Sequence, residues 1–543
     1  MLRYLLLSLL LITEVHAQPF THADTLRGTN GPFRKQWDVL HYDITIEPNL
    51  QTQTLTGKNI ITFFDEGVKL MQIDLQSGMQ LDSAYNKEAK LSFRRDGNVY
   101  WVMLRDTNAY YRIKPDTNSI TLWFTGNPKR AIRPPWEGGW IWTNDSIGRP
   151  WATVACQGLG ASVWLPCKDW QGDKPDMGMN LNIIVPDTLL GIGNGRLISQ
   201  ERLPENRIQF TWQVLNPINA YNFNAAIGAY THLHDTILGE KGKLDLDYYI
   251  LDYHRESAIQ QFAEAPRALH AFEYWFGPYP FYEDSYKLTE APYPGMEHQS
   301  DIAYGNNFQN GYLGEDLSET GEGLKWDFII VHESGHEWFG NSITAQDIAD
   351  MWIHEGFTHY GESLFTAYYF GQDAGKIYSR GTRINIKNDK PIIGNYGVNN
   401  MGSADMYYKA GAMIHMIRQC MQNEEGFKQM LRKMNKTYYH KIVTTDSILK
   451  FMEKETKLKL DKIFEQYLQT TQIPELSWYI TNKKLFFTWK NCVPQFDLPI
   501  ELLLSNNKST FIYPKEGIWN SIPYKRKSIR VSADFYITNK KEK

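Results

Sequence analysis

Alternation of apolar and polar positions marks the first part of the chain as strand-forming. In "HYDITIE" (His41 to Glu47), Tyr42, Ile44 and Ile46 alternate with Asp43 and Thr45, the two-residue period of a half-buried strand. "RIQFTWQV" (Arg207 to Val214) repeats the pattern with Ile208, Phe210, Trp212 and Val214. Turn-rich pieces such as "EPNLQTQTLTG" separate these runs, so a β domain is predicted from about residue 35 to 230. The pattern changes after "AAIGAYTHLHDT". From about Glu256 helical spacing dominates: "ESAIQQFAEAPRALHAFEYWFG", then Gly323 to Gly340, Ala349 to Phe370, and several segments from Ala410 to Gln469. Pro474 breaks that pattern, and "SWYI", "KLFFTWK" and "IELLL" read as short strands.

The predicted architecture is therefore an α+β multidomain chain: an N-terminal β domain (18–229), a helical domain (230–472) and a small C-terminal β domain (473–543), with no long C-terminal helical domain. Its 543 residues exceed what one hydrophobic core organises. A content of 42% hydrophobic and 22% charged residues excludes a mainly disordered chain. A formal net charge of −4 gives no electrostatic case for nucleic acid or an anionic membrane as partner.

At the N-terminus, Arg3 precedes the apolar run "YLLLSLLLI", and "VHA" (Val15 to Ala17) offers small residues at cleavage spacing before Gln18. This is the pattern of a signal peptide over residues 1–17, and it predicts export to a periplasmic or extracellular space. The run is about half the length a bilayer span needs, and no later stretch reaches it, so no membrane span is expected in the mature chain. The four cysteines (Cys156, Cys167, Cys420, Cys492) form no C-x-x-C pair; in an exported chain one disulfide is open to them. "GQDAGKI" (Gly371 to Ile377) is too short for a phosphate loop and has no Ser or Thr after its lysine.

The segment "LKWDFIIVHESGHEWFG" carries the densest chemistry. His332 and His336 are four residues apart, so on a helix they share a face and can approach one ion. Glu333, beside the first histidine, is left free to act as a base. A catalytic zinc takes three protein ligands and keeps one open position. Glu355, in "MWIHEGFTHYGE", follows His336 after eighteen residues, enough for the chain to turn back and present a carboxylate. Glu362 lies two helical turns further on, placed to accept the spare N–H of a ligating histidine.

"HESGH", eighteen residues, then the glutamate of "WIHEGF" resembles the zinc metallopeptidase family of aminopeptidase N and the leukotriene epoxide hydrolase. "YPGMEH" (Tyr293 to His298) is similar to that family's G-x-M-E-N exopeptidase motif, "MYYKAG" (Met406 to Gly411) to its tyrosine motif, and "ACQGLGASVWLPCKD" (Ala155 to Asp169) to its glutamine-bearing β-domain segment. The matches run in the family's order over most of residues 35 to 470. The resemblance implies a thermolysin-like catalytic domain, a small C-terminal β-sandwich and one Zn²⁺ on His332, His336 and Glu355, with Glu333 as general base. It implies that Tyr407 faces the oxyanion, with Tyr408 as its rival. It further implies that Glu297 holds the substrate's α-ammonium, and that Gln157, Gly295, Met296 and His298 line the substrate site. The expected substrates are peptides with a free N-terminus.

Three departures stand out. Pro294 replaces the motif's first glycine and brings no backbone N–H. His298 replaces asparagine and is expected to titrate near neutral pH. Ala410 replaces a glycine after Lys409. Two rival functions remain: epoxide hydrolysis on the same scaffold, or a catalytically silent metal-binding scaffold. The family's epoxide branch carries an Asp eight residues before the tyrosine, where this chain has Asn399. A silent scaffold is expected to have lost Glu333 or a ligand, and this chain keeps them.

Overall fold

The structure is a computed structural model, and it describes residues 20–106, 115–504 and 508–542. The signal-peptide reading over residues 1–17 lies outside them.

Strand Trp37–Asn49 is the spine of the β domain. Tyr42, Ile44 and Ile46 are buried while Asp43 and Thr45 between them stay half-exposed. It pairs antiparallel with Thr54–Asp65 and parallel with Met179–Pro186. Both belong to a mixed eight-stranded sheet that ends in the hairpin of Arg196–Leu203 and Arg207–Val214. A four-stranded sheet (Gly139–Asn144, Pro150–Ala155, Ala225–Gly228, Leu190–Gly193) and a three-stranded one (Leu70–Asp74, Val99–Met103, Ser92–Asp96) complete the layer, and their apolar faces share one core with Ile44, Phe63, Val154, Trp164 and Phe210.

A second, five-stranded sheet starts at Tyr230. Its order is Tyr230–Gly239, Gly242–Leu251, Tyr286–Glu290, Ile302–Tyr304 and the short edge strand Gly295–Met296. Helices α1 (Glu264–Phe276) and α2 (Phe328–Gly335) pack on it, and α3 (Trp352–Phe370), α4 (Gln372–Gly381) and α5 (Tyr408–Met421) build outward from them. Helix α3 is buried from Trp352 through Ala367, as expected of a helix enclosed on all sides. It touches α1, α2, α4 and α5. At the α3–α5 crossing, a Cβ on Gly356 would lie 2.7 Å from the Cβ of Ala410. The absence of a side chain on Gly356 is thus what lets Ala410 pack at this crossing.

Three further helices (Glu424–Thr437, Thr445–Thr456, Asp461–Gln469) lead into a four-stranded sheet (Asn520–Pro523, Lys484–Lys490, Glu475–Thr481, Thr538–Lys541) and a two-stranded one (Ile500–Leu503, Ser509–Ile512). Among the described residues no helical domain follows them. No described helix is long and apolar enough to cross a membrane. The four cysteines are free thiols in this structure.

The continuous helix expected from Gly323 to Gly340 is a correction. Residues Glu322–Lys325 form a 3₁₀ turn, Trp326 is extended, and α2 begins only after Asp327, whose carboxylate accepts from the Ile330 N–H at 3.1 Å. The indole of Trp326 is buried against Phe365 and Tyr378, and seating it there costs the helix one turn. At the other end, the Glu337 and Trp338 N–H groups bond back three residues, to Ser334 and Gly335. The last turn is therefore 3₁₀-like, and His336 sits at the C-cap. Gly340, at φ +132°, then turns the chain away.

Candidate metal centre

Two elements bring the histidine pair and the carboxylate together. The apolar run Ile329–Val331 sinks α2 into the core, and the antiparallel pass of α3 places Glu355 opposite it. His332 Nε2 and His336 Nε2 face each other at 3.2 Å. Glu355 Oε2 lies 3.2 Å from the latter and 3.6 Å from the former. Around a tetrahedral zinc with bonds of 2.0–2.1 Å, ligand atoms stand roughly 3.3 Å apart. The three atoms therefore form the triangle such an ion needs. Glu355 Oε2 is fully buried without a well-directed hydrogen bond and faces only the two imidazole nitrogens, so an ion among the three atoms would satisfy it. The donor set, two imidazoles and one carboxylate, is that of a zinc site with an open position.

The outer partners fix the ligands. Glu362 Oε1 accepts from His332 Nδ1 at 2.7 Å, which leaves Nε2 free for an ion. Glu362 is itself held by the Tyr378 hydroxyl at 2.7 Å and by His359 at 3.0 Å. His336 Nδ1 donates to the Phe339 carbonyl at 3.0 Å. Phe328 stacks on the His332 ring with centroids 5.2 Å apart. Of these, only Glu362 was legible from spacing; His359 is four residues past Glu355 on the same helix and could have been found that way, whereas Tyr378 and Phe328 carry no local signal.

The electrostatics favour a positive charge at the centre. Burial pushes both imidazoles down, yet Glu355 and Glu362 outweigh it and hold His332 well above its ordinary value, and His336 is raised to about 9. The same pairing brings Glu355 below the ordinary carboxylate range despite its burial. Burial also raises Glu333, to about 7, against the pull of the two histidines.

A cavity of about 280 Å³ opens on the triad, lined in part by Gln157, Pro294, Gly295, Glu297, Glu333, Glu355 and Tyr407. Glu297, Glu333 and His336 also converge, with atoms within 4.8 Å of one another. Gln157 Nε2 donates to Glu355 Oε1 at 2.8 Å and to Glu297 Oε1 at 3.2 Å. Gly295 permits the contact of edge strand and helix: a Cβ there would meet Ile329 at 2.7 Å and Glu333 Oε1 at 2.9 Å. Both candidate tyrosines line the cavity, but their rings turn to different partners. Tyr407 lies against His332, ring centroids 6.0 Å apart, and burial together with the charge of Glu355 and Glu297 keeps its hydroxyl protonated. Tyr408 turns to His359, at 5.0 Å.

Two expected lining residues do not line the cavity. The strand ends at Met296, and the His298 N–H turns back to the Met296 carbonyl at 3.0 Å, so neighbouring side chains of Gly295–His298 leave in different directions. Gly295 and Glu297 face the cavity, whereas Met296 packs with Ala155, Tyr221 and Tyr293 in a small apolar cluster. His298 is fully buried, with Nε2 3.2 Å from the Val154 carbonyl and 3.3 Å from the Tyr293 hydroxyl. Burial lowers it to about 4, so the expected change of charge near neutral pH is also corrected: His298 stays neutral there and joins the two domains. Pro294 lines the cavity, and its carbonyl accepts from Gly305 N–H at 2.8 Å. Asn399 lines a different, smaller cavity beside Arg27 and Gly28.

Residues 261–467 match the Peptidase family M1 domain. The chain is 23% identical over 343 residues to leukotriene A-4 hydrolase of Xenopus laevis, covering 59% of this chain and 53% of that protein. It is 18% identical over 404 residues to probable aminopeptidase 2 of Sulfurisphaera tokodaii (70% and 50% covered) and 25% identical over 239 residues to aminopeptidase B of Homo sapiens (43% and 33%). The chain thus spans about half the length of these curated relatives, or less. Among solved structures, an M1 zinc metallopeptidase from Deinococcus radiodurans superposes with a TM-score of 0.64 at 19% identity, covering 80% of this chain and 94% of that one. A two-domain M1 zinc metallopeptidase variant bound to L-tryptophan gives 0.67 at 19% identity, with 82% and 96% covered. The fold described above is theirs.

Proposed function

We propose that this chain, which carries a Peptidase family M1 domain over residues 261–467, is a zinc-dependent aminopeptidase. The observation that carries the reading is the convergence of three groups on one cavity: the His332–His336–Glu355 triangle, the free carboxylate of Glu333, and the buried carboxylate of Glu297. When bound by the triad, zinc supplies Lewis acidity, polarising a carbonyl oxygen and acidifying water at the open position.

The chain's own residues do the rest. Glu333 takes the proton of the attacking water and returns it to the leaving amine. Burial raises its pKa, in the direction that lets one carboxyl group both accept and return a proton. The protonated Tyr407 hydroxyl donates to the developing oxyanion. Glu297, oriented by Gln157, pairs with a substrate's α-ammonium. A charged amine anchored there fixes the first peptide bond over Glu333, so one residue is released per turn. The neighbour from Deinococcus radiodurans was solved, as a variant, with a Tyr-Ser-Ala substrate, which supports peptides as the substrate class. Export of the mature chain is part of the proposal and rests on the signal-like pattern before Gln18.

Epoxide hydrolysis is not favoured, since Asn399 stands beside Gly28 rather than in the cleft. A silent scaffold is not favoured either, because ligands, base and Glu297 all share the cavity. A panel of aminoacyl fluorogenic substrates tests the reading. Free-amine substrates should be cleaved, chelator should stop and zinc restore the reaction, and N-acetylation should abolish it. Equal rates on free and acetylated substrates would remove Glu297 from its assigned role; no zinc-dependent release from any free-amine substrate would contradict the proposal.

A further inference from the structure

The hairpin that opens the second sheet holds another convergence of two histidines and a carboxylate. Tyr230–Gly239 pairs antiparallel with Gly242–Leu251, with His234 opposite Asp247 and His232 opposite Tyr249. Strand alternation therefore puts His232, His234, Asp247 and Tyr249 on one face, while Leu244, Leu246, Tyr248 and Ile250 fill the helical core on the other. Asp247 Oδ1 lies 2.8 Å from His232 Nε2 and 3.0 Å from His234 Nδ1. The three atoms lie within 4.8 Å of one another. The His232 ring stacks on Tyr249 at 4.6 Å and 12°, which sets its plane.

The surroundings leave the group available. The two histidine side chains are 43% and 50% exposed and Asp247 is 19% exposed. His232 and Asp247 edge a cavity of about 310 Å³ whose opposite wall is Ile192, Leu197, Phe210 and Trp212 of the β domain. The nearby cations are engaged elsewhere: Arg196 with Asp245 at 2.9 Å, and Lys287 with the Gly195 carbonyl. Burial raises Asp247, but its bonds to both histidines and the charge of Lys287 outweigh this and bring it to about 2. It is a carboxylate at any working pH.

We infer that His232, His234 and Asp247 form a second metal site, separate from the catalytic cleft, for a divalent first-row transition ion of the zinc and copper class. Two imidazole nitrogens and one carboxylate oxygen select such ions over calcium or magnesium, which prefer oxygen alone. Histidines two apart on a strand with a cross-strand third ligand need only small side-chain movements to reach metal–ligand distances near 2 Å. On binding, the ring nitrogens that face Asp247 would turn their lone pairs to the ion, and Asp247 would exchange its two imidazole partners for it. The remaining coordination positions face solvent and the cavity at the seam of the two domains. None of the three residues lines the proposed catalytic cavity, so the inference does not rest on the aminopeptidase reading.

The test is metal stoichiometry of the full chain, stripped with chelator and titrated with Zn²⁺, then with Co²⁺ to record its visible spectrum. The wild type should bind two equivalents. The His232→Ala/His234→Ala variant should bind one, with aminoacyl-substrate turnover unchanged, and His332→Ala should bind one at the hairpin with turnover lost. If the double variant does not fold, Asp247→Asn is read in the same assay and should lose the hairpin equivalent. One equivalent in the wild type, or hairpin variants that bind as much metal as the wild type, would overturn the site. Failure of catalysis alone, with the hairpin equivalent intact, would count against the aminopeptidase proposal and leave this one standing.

Discussion

The molecule holds two clusters of the same composition, two imidazoles and a carboxylate, in opposite settings. In the cleft, His332, His336 and Glu355 are almost fully buried, their outward nitrogens are engaged by Glu362 and the Phe339 carbonyl, and Glu355 Oε2 faces inward without a hydrogen bond. On the hairpin, His232 and His234 are about half exposed and both spend their hydrogen bonds on the one Asp247 oxygen. The first cluster leaves a carboxylate oxygen open to a cation; the second satisfies itself. Burial and an outer layer of partners, more than the identity of the donors, therefore separate a centre preorganised for chemistry from one suited to binding alone.

Breaking the buried cluster should have the largest effect. His332→Ala removes a ligand and leaves Glu355 and Glu362 buried without their partner, so zinc at the cleft and turnover should both fall to background, as read by metal analysis and substrate hydrolysis. Tyr407→Phe comes next: it keeps the ring and removes the proposed oxyanion donor, with kcat expected to drop by about 10²–10³ and zinc retained. Tyr408→Phe is the control and should change kcat little, because that ring faces His359. Glu362→Gln should be milder, costing about 10–100-fold in zinc affinity or activity, since it loosens His332 without removing it. The smallest effect is expected at Met296: substitution by Leu keeps volume in an apolar cluster away from the cavity and should leave KM for small aminoacyl substrates unchanged.

The buried half of this contrast was largely readable in the chain. Two-residue alternation at His41 to Glu47 and Arg207 to Val214 located strands, and the four-residue spacing of His332 and His336 placed both on one side of a buried turn. Glu362 followed from helical periodicity. What escaped has a common physical cause: it depends on which residues face each other across elements. The segment Gly295–His298 is a short edge strand followed by a turn, so Met296 and His298 leave the cavity, and a motif taken as a block does not say so. Trp326 ends a helix early because its indole packs against Phe365 and Tyr378, far along the chain. The stretch "THLHDT" showed its histidines only as part of a change of pattern, because Asp247 joins them through hairpin register.

The central claim is that Glu333 is the base beside an intact metal triad, and Glu333→Gln tests it most directly. The account predicts a folded variant with the wild-type zinc content at the cleft and hydrolysis of free-amine substrates lost. A variant that retains zinc and turns over at the wild-type rate would contradict it.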